Sequence, residues 1–391
     1  MKSLGHAATV GAIALAGAAA LGAAIGSALV LRIARQVVTP TPRKNDTDVL
    51  WIDTGAQTIE LARTPDTELP GRYGLYVDGT PGYVKLGAVL HADADSVRRK
   101  LLTQIEPGAE VGRRAGFSGY YYLAPGELHL PYESVLIGTP AGPCPAWLFP
   151  AESSTWAIQV HGRGATRSEC LRAVPVLHAA GLPVLITSYR NDGEGPRTRP
   201  GSYGLGATEW RDVDTAIAYA LRHGAERILL MGWSMGGAIA LQTLVSSDDG
   251  GAVVGMILDS PVVDWRPVLR FQAKAMKLPD PLPQLAMDAL EQPWSARLSG
   301  ADQAIEFDAL DMVARSAELD VPILLLHSDD DGFVPSDASH ALAKARPDLV
   351  TMPPFTGARH TKLWNYDQNR WTDAITDWLG EQGFAQDDSS D

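Results

Sequence analysis

Cysteine is nearly absent. Cys144 and Cys170 are the only two in 391 residues, too few for a disulfide framework in a chain of this size and not spaced as metal ligands. Basic residues are also scarce: 33 Lys and Arg stand against 46 Asp and Glu, a formal net charge of -13, with no basic stripe along the chain. That balance argues against a nucleic-acid partner, because backbone binding needs clustered cations to displace counterions. Internal repeats are missing, and the one low-complexity tract is the acidic tail 386–391. Disorder is excluded for most of the chain by a hydrophobic content of 45%, ordinary for a protein with a sizeable core.

One run has no charge at all. Between Ala7 and Leu31 no ionisable residue occurs, and Lys2 on one side and Arg32 and Arg35 on the other bound the segment. A helix of that length, rising about 1.5 Å per residue, spans a hydrocarbon core of roughly 30 Å. The expectation is a single-pass N-terminal membrane anchor with its flanks over 1–38, in preference to a cleaved signal peptide, whose apolar core is about 7–15 residues. Arg32, Arg35, Arg43 and Lys44 outnumber the cations before the segment, which places the main domain on the cytoplasmic side.

Residues 39–130 form a linker followed by short β-favouring runs, among them 49–52, 58–61, 73–77 and 119–123, punctuated by glycine and proline. They predict a small β-rich accessory domain. From residue 131 the pattern changes to short apolar strands alternating with amphipathic helices. The strands are 156–160, 183–187, 227–231, 253–258 and 321–326. Such runs imply an α/β domain over 131–385, a parallel sheet covered by helices on both faces. Between 259 and 321 lie more residues than a plain connection needs. The stretch 264–319, helical in pattern and broken by prolines, is expected to form a small lid over a site.

The chemistry concentrates at Gly232-Trp-Ser-Met-Gly236, a G-x-S-x-G set between an apolar strand and a small-residue helix. The motif is a sharp strand-to-helix turn that pushes the serine hydroxyl out at the top of a sheet, with Gly232 and Gly236 removing the Cβ atoms that would collide. The lysine of a P-loop and the spaced glycines of a dinucleotide fingerprint are both missing there. A serine needs a base and an orienting acid. Both follow in order: His360 after a last strand at 349–353, and an acidic turn, Asp329 to Asp331, after 321–326. An oxyanion needs two fixed N–H groups. Met235 supplies one, and Arg163 in His161-Gly-Arg-Gly164 is chosen for the other, with Gly162 and Gly164 allowing close approach.

Taken together, 131–383 resembles an α/β-hydrolase of the serine esterase and serine peptidase superfamily. A His-Gly oxyanion loop, a G-x-S-x-G elbow, a strand ending in H-G-x-x-D-x-x-V-P and a late Gly-x-x-His recur there in this order. The third motif stands here as His327-Ser-Asp-Asp-Asp-Gly-Phe-Val-Pro335. The resemblance therefore makes Asp331 the acid, with Asp329, Asp330 and Asp264 as fallbacks, and Ser328 departs from the usual glycine. The stretches 188–192, 205–210 and 259–265 are further similar to a membrane-associated actinobacterial branch.

The resulting expectation is a serine hydrolase that cleaves ester, and by extension thioester or amide, bonds through Ser234, His360 and Asp331. It needs no metal and no organic cofactor, and its partner is a small-molecule or lipid-like ester. An oligopeptidase-like serine peptidase and a non-catalytic membrane-tethered binding module stay open beside it. The three adjacent aspartates cannot all converge on a cation. His161 is read as a loop-shaping residue, His327 as a residue packing at a strand end, and Arg163 and Arg190 as possible contacts to an acidic group.

Overall fold

The structure, a computed structural model, describes residues 26–384. Two β-systems divide the chain. The first six strands, β1 (Thr47–Asp53), β2 (Thr58–Ala62), β3 (Tyr73–Gly79), β4 (Tyr83–Ala92), β5 (Ser96–Leu101) and β6 (Val111–Ser118), close into an antiparallel barrel in the order β1-β2-β5-β4-β3-β6. Closure removes the unpaired strand edges that an open sheet this small would expose. Ile59, Leu61, Tyr73, Leu75, Val84 and Leu86 point inward as its core. The expected strand at 119–123 does not form. Its tyrosines are instead drawn into contact with the second system: the Tyr120 hydroxyl accepts the Thr166 N–H at 2.9 Å, and Tyr121 and Tyr122 pack on Trp364.

The second system is an eight-stranded sheet built from β7 (Glu133–Thr139), β8 (Gly142–Phe149), β9 (Thr155–Val160), β10 (Val184–Thr187), β11 (Arg227–Trp233), β12 (Val253–Asp259), β13 (Ile323–Leu326) and β14 (Val350–Thr351). The order is β14-β13-β12-β11-β9-β10-β8-β7, with β8 antiparallel to both its neighbours and the rest of the sheet parallel. β9 to β13 are buried along nearly their whole length, as the continuous apolar runs require when helices cover both faces.

The helices are α1 (26–38), α2 (Val174–Ala179), α3 (Trp210–Arg222), α4 (Met235–Ser246), α5 (Trp265–Ala275), α6 (Pro281–Glu291), α7 (Pro293–Ser299), α8 (Asp337–Ala345), α9 (Leu363–Tyr366) and α10 (Gln368–Glu381). In α3, Val213, Ala216, Ile217 and Ala220 are buried at helical spacing, the amphipathic pattern of a helix on a sheet. α4 is buried from Met235 to Leu244, so it runs through the interior. Register decides where the site forms. Val160 pairs with Gly232, Trp233 with Asp259, and Asp259 with Leu326. The loops that begin at 161, 234, 260 and 327 therefore leave the sheet side by side at one edge.

One expectation changes here, and another falls largely outside the described residues. Most of the proposed anchor, Ala7–Leu31, lies outside the described residues, and no helix among the described residues is long and apolar enough to cross a membrane. The part that is described, α1, turns its C-terminal half inward: Ile33, Ala34 and Val38 are buried in the main hydrophobic cluster beside the second sheet. The stretch 264–319 is helical as expected, with α5, α6 and α7, but none of its residues lines the cleft described next.

Candidate active site

At the end of β11 the chain turns into α4 through Ser234, whose φ of 53° and ψ of -117° lie outside the regions L-residues prefer. Such a conformation costs on the order of 1–3 kcal/mol and persists only where its surroundings hold it. Here Ser234 N–H donates to Asp259 O at 3.0 Å, while Ser234 O accepts from Gly237 and Val262. The flanking glycines are obligatory. A Cβ on Gly236 would sit 2.1 Å from Val160 O, and one on Gly232 would sit 2.5 Å from Gly236 O.

Ser234 Oγ lies 2.9 Å from His360 Nε2, and His360 Nδ1 lies 2.7 Å from Asp331 Oδ2. The carboxylate accepts from Nδ1–H and so leaves Nε2 free to accept the serine proton. Asp331 is buried, and its other oxygen accepts the Phe333 and Val334 N–H groups at 2.8 and 2.9 Å. Burial alone would raise its pKa, but the charge of His360 and hydrogen bonds from His327 and His360 outweigh it and hold the carboxyl well below the usual range. His327 is thus more than a strand-end packer. Its Nε2 stands 3.3 Å from Asp331 Oδ2 and 3.1 Å from Val334 O, and its Nδ1 is held by Ser339 Oγ at 2.7 Å. The fallback acids are engaged elsewhere: Asp329 with His340 and Ser336, Asp330 with the Gly357 N–H, and Asp264 as the N-cap of α5.

The opposite wall is the loop 161–164. Gly162 O accepts from His161 Nδ1 at 3.0 Å and from the Tyr189 hydroxyl at 2.9 Å. In a trans peptide C=O and N–H point in opposite directions, so the Arg163 N–H faces away from that buried pair. A Cβ on Gly162 would lie 3.1 Å from Ser234 Cβ, which puts this peptide beside the serine. Among the described residues neither the Arg163 N–H nor the Met235 N–H, at the first position of α4, has an acceptor. Gly164 takes a φ of 67°.

Behind the loop, His161 is fully buried against Asp192, Nε2 to Oδ2 2.9 Å, and stacked on Tyr189. Asp192 also accepts the N–H groups of Tyr189, Glu194 and Gly195, so it is ionised. Both ring nitrogens of His161 therefore face acceptors, an arrangement that favours the protonated ring. Burial opposes that charge, but the bond and the charge of Asp192 prevail and raise the His161 pKa. Arg190, read earlier as a possible substrate contact, is spent on buried Asp212 through two 2.7 Å bonds. Cys144 and Cys170 are separate buried thiols.

A cleft of about 270 Å³ opens over Ser234, and Arg43, Ser118 and Tyr120 from the barrel side line it with Arg163, Glu169, Phe333 and His360. It continues past His360 to Asp66, Arg359 and Lys362 in a second hollow of about 290 Å³. The barrel therefore walls the site where the helical stretch was expected to. Asn365 locks it in place: Nδ2 donates to Arg72 O and Gly119 O at 2.7 and 2.9 Å, and Oδ1 accepts from buried Arg172 at 2.6 Å. A larger hollow of about 590 Å³ between β1 and β6 shares no residue with this cleft. Tyr120, Glu169, Arg172 and Asn365 were missed from the sequence, since no motif marks them; the clustered tyrosines at 120–122 were the one available signal. No group of residues that could hold a metal occurs among the described residues.

Residues 160–375 match the model of the Alpha/beta hydrolase family. The chain belongs to that family. Residues 48–118 of the hydrolase, its barrel, match a Domain of unknown function (DUF8805). An uncharacterized protein of Mycobacterium tuberculosis is 28% identical to the hydrolase over 250 residues, covering 60% of this chain and 74% of its own. Crystal structures of an esterase of Pyrococcus furiosus are similar in fold, with TM-scores of 0.51 and 0.52, 18% and 17% identity, and coverage of 66% of this chain and 94% and 96% of theirs.

Proposed function

We propose that the hydrolase cleaves ester bonds, and thioester or amide bonds by the same route, through an acyl-enzyme on Ser234. The observation that carries this reading is the hydrogen-bonded line from Ser234 through His360 to Asp331, beside the Arg163 and Met235 N–H groups that have no acceptor among the described residues. His360 Nε2 takes the hydroxyl proton as Oγ attacks the carbonyl carbon, and the carbonyl oxygen gathers negative charge against the Met235 and Arg163 amides. The imidazolium, steadied by Asp331, gives its proton to the leaving group as the C–O, C–S or C–N bond breaks. Water, deprotonated in turn by His360, then releases the acid.

The test is labelling of the full chain with a fluorophosphonate serine probe, followed by an ester screen. Wild type is expected to label and Ser234→Ala to lose both label and turnover, by about 10⁴-fold or more in kcat. Equal labelling of the two proteins would overturn the assignment.

A further inference from the structure

Glu169 is the one acidic residue lining the cleft over Ser234, and the mechanism above gives it no work. It lies in the 3-10 helix Arg167–Ala173, 5% exposed. Oε2 accepts the Gly162 N–H at 2.7 Å. Oε1 has no partner among the described residues, and no cation pairs with the carboxylate there. No arginine, lysine or histidine among the described residues forms an ion pair with it, and the neighbouring ring of His161 is held by Asp192. Arg172 donates through Nη1 to Thr361 O and Asn365 Oδ1 and through Nε to the backbone oxygen of Glu169 itself, while its Nη2 has no partner among the described residues and makes no ion pair with the carboxylate. The Arg163 guanidinium turns out to Gln36 O and Thr39 O, and Arg43 stacks on Tyr76 at 3.2 Å. Arg359 and Lys362 share Asp66 at 3.6 and 3.1 Å.

A carboxylate 5% exposed, with one hydrogen bond from the protein and its second oxygen open to the cleft, is positioned to gain from a counter-charge arriving there. Its placement says where that charge would sit. The Cβ position of Gly162 is 3.1 Å from Ser234 Cβ and 3.2 Å from Glu169 Oε2, so carboxylate and nucleophile flank the same backbone atom. An anion so close to the oxyanion would also oppose the charge that develops there, unless the substrate brings a cation between them.

We infer that Glu169 is a subsite for a protonated amine adjacent to the scissile carbonyl, as in an α-amino acyl ester or the aminoacyl end of a peptide. The inference rests on the acyl-enzyme reading and narrows it to cationic acyl groups. The amine donates to Oε1, and Oε2 keeps its bond to the Gly162 N–H.

The test pairs two reversible ligands of one shape, 1-aminoethylboronic acid and isopropylboronic acid. In each, boron accepts an electron pair from Ser234 Oγ as the hydroxyl proton passes to His360. Each is titrated against fluorophosphonate labelling of the full chain. A charge-assisted hydrogen bond contributes about 1.5–3 kcal/mol, equivalent to roughly 10- to 150-fold in affinity. The amino compound is therefore expected to protect at a concentration at least about tenfold lower. In Glu169→Gln, whose side-chain carbonyl still accepts the Gly162 N–H, that ratio is expected to collapse toward one, whatever loss both ligands share. Equal or better protection by the isopropyl compound in wild type, or an unchanged ratio in the variant, would sink the subsite. Absence of Ser234-dependent labelling would instead remove the acyl-enzyme reading on which it stands.

Discussion

The residue chosen as second oxyanion donor is tied through its side chain to the N-terminal helix. Arg163 Nη2 donates to Gln36 O at 2.8 Å and Thr39 O at 2.7 Å, at the C-terminal end of α1, where backbone carbonyls lack partners within the helix. Tyr203 N donates to Val38 O at 2.8 Å, and the Tyr203 hydroxyl meets Gly164 N at 3.3 Å. Substituting Arg163→Met keeps the backbone N–H but removes this clamp. A hydrogen bond from a charged donor contributes about 1.5–3 kcal/mol, and two that share one half-buried nitrogen fall toward the low end. Complete loss of an oxyanion donor costs about 10²- to 10³-fold in kcat. A donor that is loosened rather than lost should cost about tenfold, about 1.4 kcal/mol of barrier. Deleting everything before Thr41 adds the exposure of apolar surface that Ile33 and Val38 now cover, at about 1.5–3 kcal/mol for each fully buried side chain. The assay is kcat/KM on a neutral ester together with the thermal midpoint. The expected order is wild type, then Arg163→Met, then the truncation, with both quantities falling. A truncated chain with wild-type kcat/KM would refute the coupling between α1 and the oxyanion loop.

The His161–Asp192 pair predicts a pH signature. Because the folded His161 pKa lies above its ordinary 6.5, the pair's contribution to stability is full below pH about 6.5 and is lost as pH rises through the folded value. Thermal midpoints against pH should show this alkaline loss in wild type and less of it in His161→Gln; parallel curves would count against it. Asn365→Ala should strip partners from Arg72 O, Gly119 O and the Arg172 guanidinium. Unsatisfied buried groups cost about 1–3 kcal/mol each, so a lowered midpoint together with a raised KM is expected. A lowered midpoint with unchanged KM would separate the barrel from substrate binding.

Much of the second sheet could be read directly. Buried parallel strands are written as short apolar runs because both faces are covered, and the strands from β9 to β13 were placed within about two residues at each end. β14 is two residues long, too short for its pattern to mark its ends. The run at 119–123 has strand composition but no strand, since docking against Trp364 and the 3-10 helix outweighs the β preference of tyrosine. The stretch 264–319 was legible as helical and not as to what it covers. Amphipathic spacing reports that a face is buried and leaves its partner unnamed.

The candidate serine, base and acid leave local signals, because a strained elbow demands glycines on both sides and the two partners lie in loops that follow strands. Sequence alone therefore pointed to Ser234, His360 and the acidic turn as candidates, together with the sheet that carries them. It could not select Asp331 from its neighbours by chemistry, since three adjacent carboxylates are equivalent until a turn aims one of them. In the tertiary structure it is Asp331 whose carboxylate lies against His360. Tertiary packing also brought the barrel, rather than the helical stretch, to the cleft, seated α1 on the loop 161–164, and left Glu169 without an ion-pair partner beside Ser234. Each of these joins residues tens to hundreds of positions apart, and burial and charge compensation at such contacts arise only when the whole chain has packed.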